Sequence, residues 1–318
     1  MTLGNHKYFL TEIINQFQEN GYQVENNYQV LNAANYGVPQ NRERLFLLGS
    51  RQELPLPQYP QTTTKMATSK HHKNQKLLQH LAPTPTVWEA LQDLPEIEKY
   101  PELYQQDWIF TEFGKPSNYT IKLRNLSKCE NDYSYPRNYD PQILTSSLRT
   151  NHSQESMDRF ASTPQGKVEP ISRFFKLDPD GLCNTLRAGT ASNKGAFTSP
   201  RPIHPFIPRC ITVREAARLH SYPDWFRFHP TKWHGFRQVG NSVPPLLAQV
   251  VAEEIIKVLN VKPMKPQISK DLGDDILLTP DMSEGAKHFG VSPHVIEPRT
   301  RKSSVKQKNN SHKEDIHE

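Results

Sequence analysis

The 318 residues predict an α/β protein with a large irregular region between its ordered ends. An amphipathic helical pattern near the N-terminus runs into two strand-like segments. The middle of the chain is dominated by proline, asparagine, serine, tyrosine and arginine, and two helical patterns with clear start signals follow it. Hydrophobic residues are only 35% of the chain and mean hydropathy is -0.74, yet 14 Phe, 12 Tyr and 4 Trp are present. That is enough for a core, with long polar stretches left outside it.

Residues 8–20 place Phe9, Ile13, Ile14 and Phe17 on one helical face, and Gly21 is a stop signal. Strand-like runs follow at Tyr22–Leu31 and Arg44–Gly49, separated by the turn-rich Ala34–Pro39. A helix and two strands read as part of a larger sheet, because so small a fragment cannot bury both sheet faces. Residues 52–80 read as a polar loop, Thr86–Leu94 as a short amphipathic helix, and 95–210 as irregular. Thr212 and Glu215 form a capping-box pattern for a helix that ends before Pro223. A further helix opens at Pro244-Pro245 and carries Leu246, Leu247, Val250, Val251, Ile255 and Val258. Beyond Val261 the chain reads as a flexible tail with a weak helix near Ser283–Phe289 and a basic run at Arg299–Lys308.

Composition narrows the function classes. The fourteen glycines never stand two apart, which excludes the Gly-x-Gly fingerprint of dinucleotide sites, and no glycine precedes the Lys-Ser/Thr of a P-loop within this sequence. Cys129, Cys183 and Cys210 are widely spaced, which argues against a disulfide framework or a zinc site and fits a reducing cytoplasm. No secretory leader pattern and no membrane-length apolar run is apparent. The net charge is +6, and residues 141–240 carry 14 basic against 7 acidic side chains, biased to arginine. Such a bias points to nucleic acid, since the guanidinium fork matches phosphates and base edges.

Three segments carry candidate chemistry. In Tyr36-Gly37-Val38-Pro39-Gln40-Asn41-Arg42-Glu43-Arg44-Leu45-Phe46 an extended backbone would point Gln40, Arg42 and Arg44 the same way. Buried unpaired guanidinium is costly, so either a polar pocket or an exposed, charged edge strand accounts for them. In Gln238-Val239-Gly240-Asn241-Ser242-Val243-Pro244-Pro245 a glycine and two capping residues precede a helix start, a place suited to a carboxylate or hydroxyl. On that pattern alone an ordinary capped helix is the simpler reading. Between them, Cys210–Asp224 reads as a helix with basic residues on its outer face.

Together and in this order the three segments resemble the C-terminal half of the DNA (cytosine-5) methyltransferases. The first resembles that family's Gln-x-Arg-x-Arg block, the last its Gln-Val-Gly-Asn-Ser-Val-Pro block, and the middle one its arginine-containing helix. The resemblance implies the C-terminal part of a Rossmann-like, S-adenosylmethionine-dependent catalytic domain over 1–51, a loop-rich target-recognition domain over 52–240, and a return helix over 241–260. It implies that Arg44 donates to the cytosine ring, with Arg42 and Gln40 shaping the same wall. Asn241, Ser242 and Val243 would face the amino-acid end of S-adenosyl-L-methionine. Asn184–Thr190 resembles the family's Thr-Leu recognition segment, so Thr185 and Arg187 would meet double-stranded DNA, Arg187 at a guanine or a phosphate. Lys194, Arg201 and Arg209 would bind phosphate.

The sequence departs from the family where the chemistry starts. The family's glycine loop for the cofactor, its Pro-Cys nucleophile and its Glu-Asn-Val block are not found here. Each of the three cysteines follows a residue other than proline. The implied arrangement is a split enzyme, whose N-terminal half supplies the nucleophile and the cofactor loop. A non-catalytic, sequence-specific DNA-binding remnant is the alternative.

Overall fold

The computed structural model describes residues 6–25, 27–66, 80–127, 132–189 and 201–292. Cys129, Lys194, residues 67–79 of the polar loop and the basic run Arg299–Lys308 lie outside them. The chain divides into two compact units, Met1–Asp274 and Asp275–Glu318.

In the first unit, helix α1 (His6–Glu19) ends at Gly21, whose φ of +82° favours glycine. Strands β1 (Tyr22–Val24), β2 (Gln29–Asn32), β3 (Glu43–Phe46) and β4 (Gly49–Arg51) then fold into one interrupted antiparallel ribbon. Tyr22 lies opposite Arg51 in the outer pair, and Leu31 opposite Arg44 in the inner pair. Between the pairs the Glu25 N–H donates to the Leu48 carbonyl. The two expected strands thus pair with each other, and among the described residues every strand belongs to a two-stranded pair. Asn32 builds the turn between β2 and β3. Its Oδ1 accepts from the N–H groups of Ala34 (3.1 Å) and Arg42 (3.2 Å), while Gly37 closes the turn at φ +79°.

The middle region is as loop-rich as expected. It holds β5 (Thr64–Lys65) paired with β6 (Ala82–Pro83), α2 (Val87–Leu91), β7 (Ile109–Phe110), α3 (Asn118–Leu123), β8 (Arg137–Asn138), β9 (Ile143–Leu144) and α4 (Gln154–Ser162). Strand β7 pairs with β9. The capping box at Thr86 and Glu89 starts α2. Helices α3 and α4 fall in the stretch expected to be irregular, and each opens on a serine cap, Ser117 and Ser153. At one to two turns they are too short to show an apolar period.

Helix α5 (Val213–Leu219) corrects a further expectation. Its basic residues do not face solvent, and all seven of its residues are buried. Arg218 is ion-paired with Asp93 and with Asp224 (2.6 Å). Arg214 donates to the Thr145 hydroxyl (2.7 Å) and the Phe226 carbonyl (2.8 Å). Glu215 receives both terminal nitrogens of Arg209 at 2.8 Å. Around these charges pack Val87 and Leu91 of α2, Tyr119 and Leu123 of α3, and Phe236 and Val239 of the next helix. Part of the positive charge of residues 141–240 is therefore neutralised inside the protein.

That next helix, α6 (Lys232–Asn241), is the second correction. Gly240, Asn241 and Ser242 finish a helix instead of capping the following one, and the Ser242 hydroxyl donates to the Val239 carbonyl at 2.7 Å. Two glycines disguise it. A Cβ at Gly235 would lie 2.8 Å from the Val213 side chain, and one at Gly240 would lie 2.4 Å from the Arg187 carbonyl carbon. Helix α7 (Pro245–Leu259) starts at its prolines as expected and lays Leu246, Leu247, Val250 and Val251 against Leu31, Tyr36 and Val38. Residues 270–271, expected in a free tail, form β10 (Lys270–Asp271), parallel to β8, with Asn138 donating to Asp271 at 2.8 Å. The second unit contains a short 3₁₀ turn at Asp275–Leu278 and α8 (Met282–His288), opened by a capping box of Asp281 and Glu284.

Two measurements test the buried charges. Removing one partner of a buried ion pair leaves the other desolvated, so Arg218→Met should lower unfolding stability by about 3–5 kcal/mol in a urea titration. The same change at Arg51, whose pair with Glu53 is exposed, should leave the midpoint in place. Stability should also fall with pH in two steps. Burial outweighs the nearby Glu215 and holds His204 neutral with a pKa pushed down to about 4, so protons taken up by the unfolded chain destabilise the fold from pH 6.5 downward. Burial pushes the Glu215 carboxyl up, but Arg209 overrides it and brings it down to about 2. Its contribution is present above the ordinary carboxylate range and is lost between about pH 4.5 and 2, to be followed by thermal melts at stepped pH.

Candidate functional site

The site is assembled where the recognition-like segment runs beside the glutamine-arginine block. Cys183 pairs in parallel with Gln40. The Cys183 N–H donates to the Pro39 carbonyl (2.9 Å) and the Asn41 N–H to the Cys183 carbonyl (2.8 Å). Thr185 extends the contact, its hydroxyl donating to the Asn41 carbonyl at 2.8 Å.

Gln40 and Arg42 hold the next residue by its main chain. The Leu186 N–H donates to Gln40 Oε1 (3.2 Å), and its carbonyl accepts from Arg42 Nη1 (2.7 Å). Arg42 Nη2 reaches two more carbonyls, Gly240 at 2.8 Å and Ser242 at 2.9 Å. Both side chains are buried, so the exposed-edge reading of this block does not hold for them. Burial and the like charge of Arg44 lower the Arg42 pKa to about 10, and carbonyl dipoles rather than a carboxylate stabilise the ion.

Arg44 is different. It lies half-buried on β3, donates to the Glu43 carbonyl at 2.7 Å, and has its pKa lowered by burial and then by the like charge of Arg187. Arg187 itself is exposed on the loop that Gln40 and Arg42 hold. Two arginines from distant segments therefore lie close enough to repel each other, an arrangement suited to an anion or a polar base edge. Gly240 completes the joint, because α6 can approach the Arg187–Ala188 main chain only without a side chain there. Asn241 and Val243 are exposed and Ser242 is half-buried.

The remaining sequence-derived sites separate. Arg209 is not free for a phosphate. Its Nη atoms are held by Glu215 and its Nε by Glu98 at 2.6 Å, and these carboxylates raise its pKa against the opposing effect of burial. Arg201 is half-buried, and its Nε has no hydrogen-bond partner. Thr185 spends its proton on Asn41 but keeps its oxygen lone pairs. Lys194 lies outside the described residues. Sequence reasoning missed His220, whose Nδ1 lies 3.0 Å from Gln40 Nε2. No local signal marks it. Among the described residues no group of His, Cys, Asp and Glu could hold a metal ion, and no helix is long and apolar enough to cross a membrane.

The sequence model of the C-5 cytosine-specific DNA methylase family matches residues 1–257. The chain is 53% identical over 301 residues to type II methyltransferase M.XorII of Xanthomonas oryzae pv. oryzae, across 95% of this chain and 66% of that protein. It is 28% identical over 277 residues to type II methyltransferase M.DdeI of Desulfomicrobium norvegicum, across 80% of this chain and 59% of that protein. A crystal structure described as a DNA modification methyltransferase encoded within a prophage (E. coli) superposes with a TM-score of 0.57 at 28% identity, over 81% of this chain and 67% of that one. The α/β fold class is shared with that neighbour. The chain spans about three fifths to two thirds of the length of these curated relatives. Its motif segments meet around Arg42, and the family's sequence model covers most of its length: the chain belongs to the C-5 cytosine-specific DNA methylases.

Proposed function

We propose that the chain is the target-recognition and pocket-closing part of a DNA (cytosine-5) methyltransferase that acts on a specific sequence in double-stranded DNA. The observation that carries this reading is the joint at Leu186. Gln40 and Arg42 hold that residue by its main chain, next to the exposed Arg187, whose like charge acts on Arg44. In this reading Arg44 donates to a cytosine turned out of the duplex, and Arg187 contacts a neighbouring phosphate or guanine. In this reading Arg201 and Lys194 add phosphate contacts, and Thr185 supports the Cys183–Arg187 strand through its bond to Asn41.

S-adenosyl-L-methionine, when bound, supplies an electrophilic methyl group. Asn241 and Val243, exposed beside the Ser242 carbonyl that Arg42 fixes, offer an amide and an apolar surface that fit its amino-acid end. These residues make one edge of a site. Cytosine C5 needs a thiolate addition at C6 before it can accept a methyl group. Neither Cys183 nor Cys210 suits that role. Both are buried, and burial pushes the Cys183 thiol up and the Cys210 thiol up to about 12. The nucleophile and the cofactor's glycine loop would come from the N-terminal region characteristic of the family. Exposed apolar side chains on α1 and the ribbon, Tyr8 at 77%, Phe9 at 55% and Val30 at 49%, support a further covering layer. On this view 1–51 and 241–260 join the catalytic domain and 52–240 reads the target.

Mixing the chain with a polypeptide that carries the Pro-Cys and glycine-loop blocks should yield methyl transfer to duplex DNA that neither part shows alone. If both parts fold and associate but transfer no methyl group, the reading fails; sequence-specific duplex binding by the chain without transfer would favour a DNA-binding remnant. In the active mixture Arg44→Ala should lower kcat on the order of 100-fold, as loss of a charged donor to a reacting group does. Gly240→Ala should weaken DNA binding and lower the melting temperature, because its Cβ would drive the Arg187–Ala188 main chain off α6.

A further inference from the structure

His220 ends α5, fully buried, with its ring stacked near Tyr222 (centroids 6.0 Å apart, planes 12° apart). Its hydrogen bonds fix its proton. Gln40 has one acceptor atom, which the Leu186 N–H occupies, so the amide nitrogen is what faces the ring. That nitrogen donates to the Leu219 carbonyl at 3.2 Å and to His220 Nδ1 at 3.0 Å. Nδ1 must therefore accept, which leaves the proton on Nε2, where the Ser242 carbonyl lies at 3.2 Å. Burial, with the Arg42 and Arg44 charges adding to it, pushes the imidazole pKa down to about 3, so the ring stays neutral. Ser221 repeats the attachment. At φ +63° it turns its hydroxyl oxygen to accept from the Leu246 N–H at 3.2 Å, in the first turn of α7.

We propose that His220 is a positioning residue that sets the spacing between the Thr185–Arg187 strand and the Asn241–Val243 segment, reaching the first through Gln40 and the second through the Ser242 carbonyl. The inference rests on the proposed function, in which the first segment meets DNA and the second meets the cofactor. A single chain of hydrogen bonds, Leu186 N–H to Gln40, Gln40 to His220, His220 to Ser242, runs in one direction across the joint. Reversing the imidazole tautomer would set two donors against each other at Gln40 and two acceptors at Ser242.

The test uses the complete methyltransferase with His220→Leu and His220→Gln. Leucine removes both bonds and should raise KM for DNA and for S-adenosylmethionine together, each about tenfold, with kcat changed less than threefold. Glutamine can donate to Ser242 and accept from Gln40, and should stay within about threefold of the unsubstituted enzyme. Unchanged KM values in the leucine variant, or a glutamine variant as impaired as leucine, would overturn the role. Because leucine could disturb the end of α5, nitrogen-15 NMR of the unsubstituted chain supplies a second reading. A neutral Nε2–H imidazole at pH 5 is expected, and an imidazolium or an Nδ1–H form overturns the proposal. An unsubstituted enzyme without methyl transfer would sink the functional reading instead, and the NMR result still decides the hydrogen-bond chain.

Discussion

The arrangement depends on one buried guanidinium. Arg42 satisfies carbonyls of Leu186, Gly240 and Ser242, which lie 144, 198 and 200 residues away in sequence. The carbonyls of Leu186 and Gly240 would otherwise be stranded in a low-dielectric interior, and the ion would lack compensation. The cation and the three dipoles therefore stabilise one another or fail together. Gln40, Gly240 and His220 extend the same junction by hydrogen bonding or close packing.

The second organising feature is charge placed inside. Arg209, Arg214 and Arg218 contribute to the basic count of residues 141–240, yet all three are buried among carboxylates, hydroxyls and carbonyls. What they hold together is a layer of short helices, α2, α3, α5 and α6, that shares one core with Cys183 and Leu186. The basic residues left to face a polyanion are fewer, and Arg44 and Arg187 are the pair whose placement is most telling.

Local signals were legible in the sequence, and long-range ones were not. The cap at Thr212 and the prolines opening α7 act within one turn, so their residues declare themselves. The grouping of Gln40, Arg42 and Arg44 could be anticipated from strand geometry, and the family resemblance from the order of the blocks. Helix α6 was hidden because Gly235 and Gly240 look like breakers, whereas they are there to let Val213 and the Arg187 main chain come close. Whether an arginine is internal or solvent-facing depends on partners such as Asp93, 125 residues from Arg218, and no spacing rule encodes that. His220 was invisible for the same reason.

The grip on the Cys183–Arg187 strand also bears on how such a protein can change. Its contacts with Cys183 and Leu186 are made through N–H and C=O groups, and Gly240 seats against backbone atoms of Arg187 and Ala188. At Asn184 and Arg187 a joint of this kind is blind to side-chain identity. The side chains of Asn184 and Arg187 can be exchanged while the strand stays in register. Substitutions at these positions can therefore accumulate on an unchanged backbone, one residue at a time.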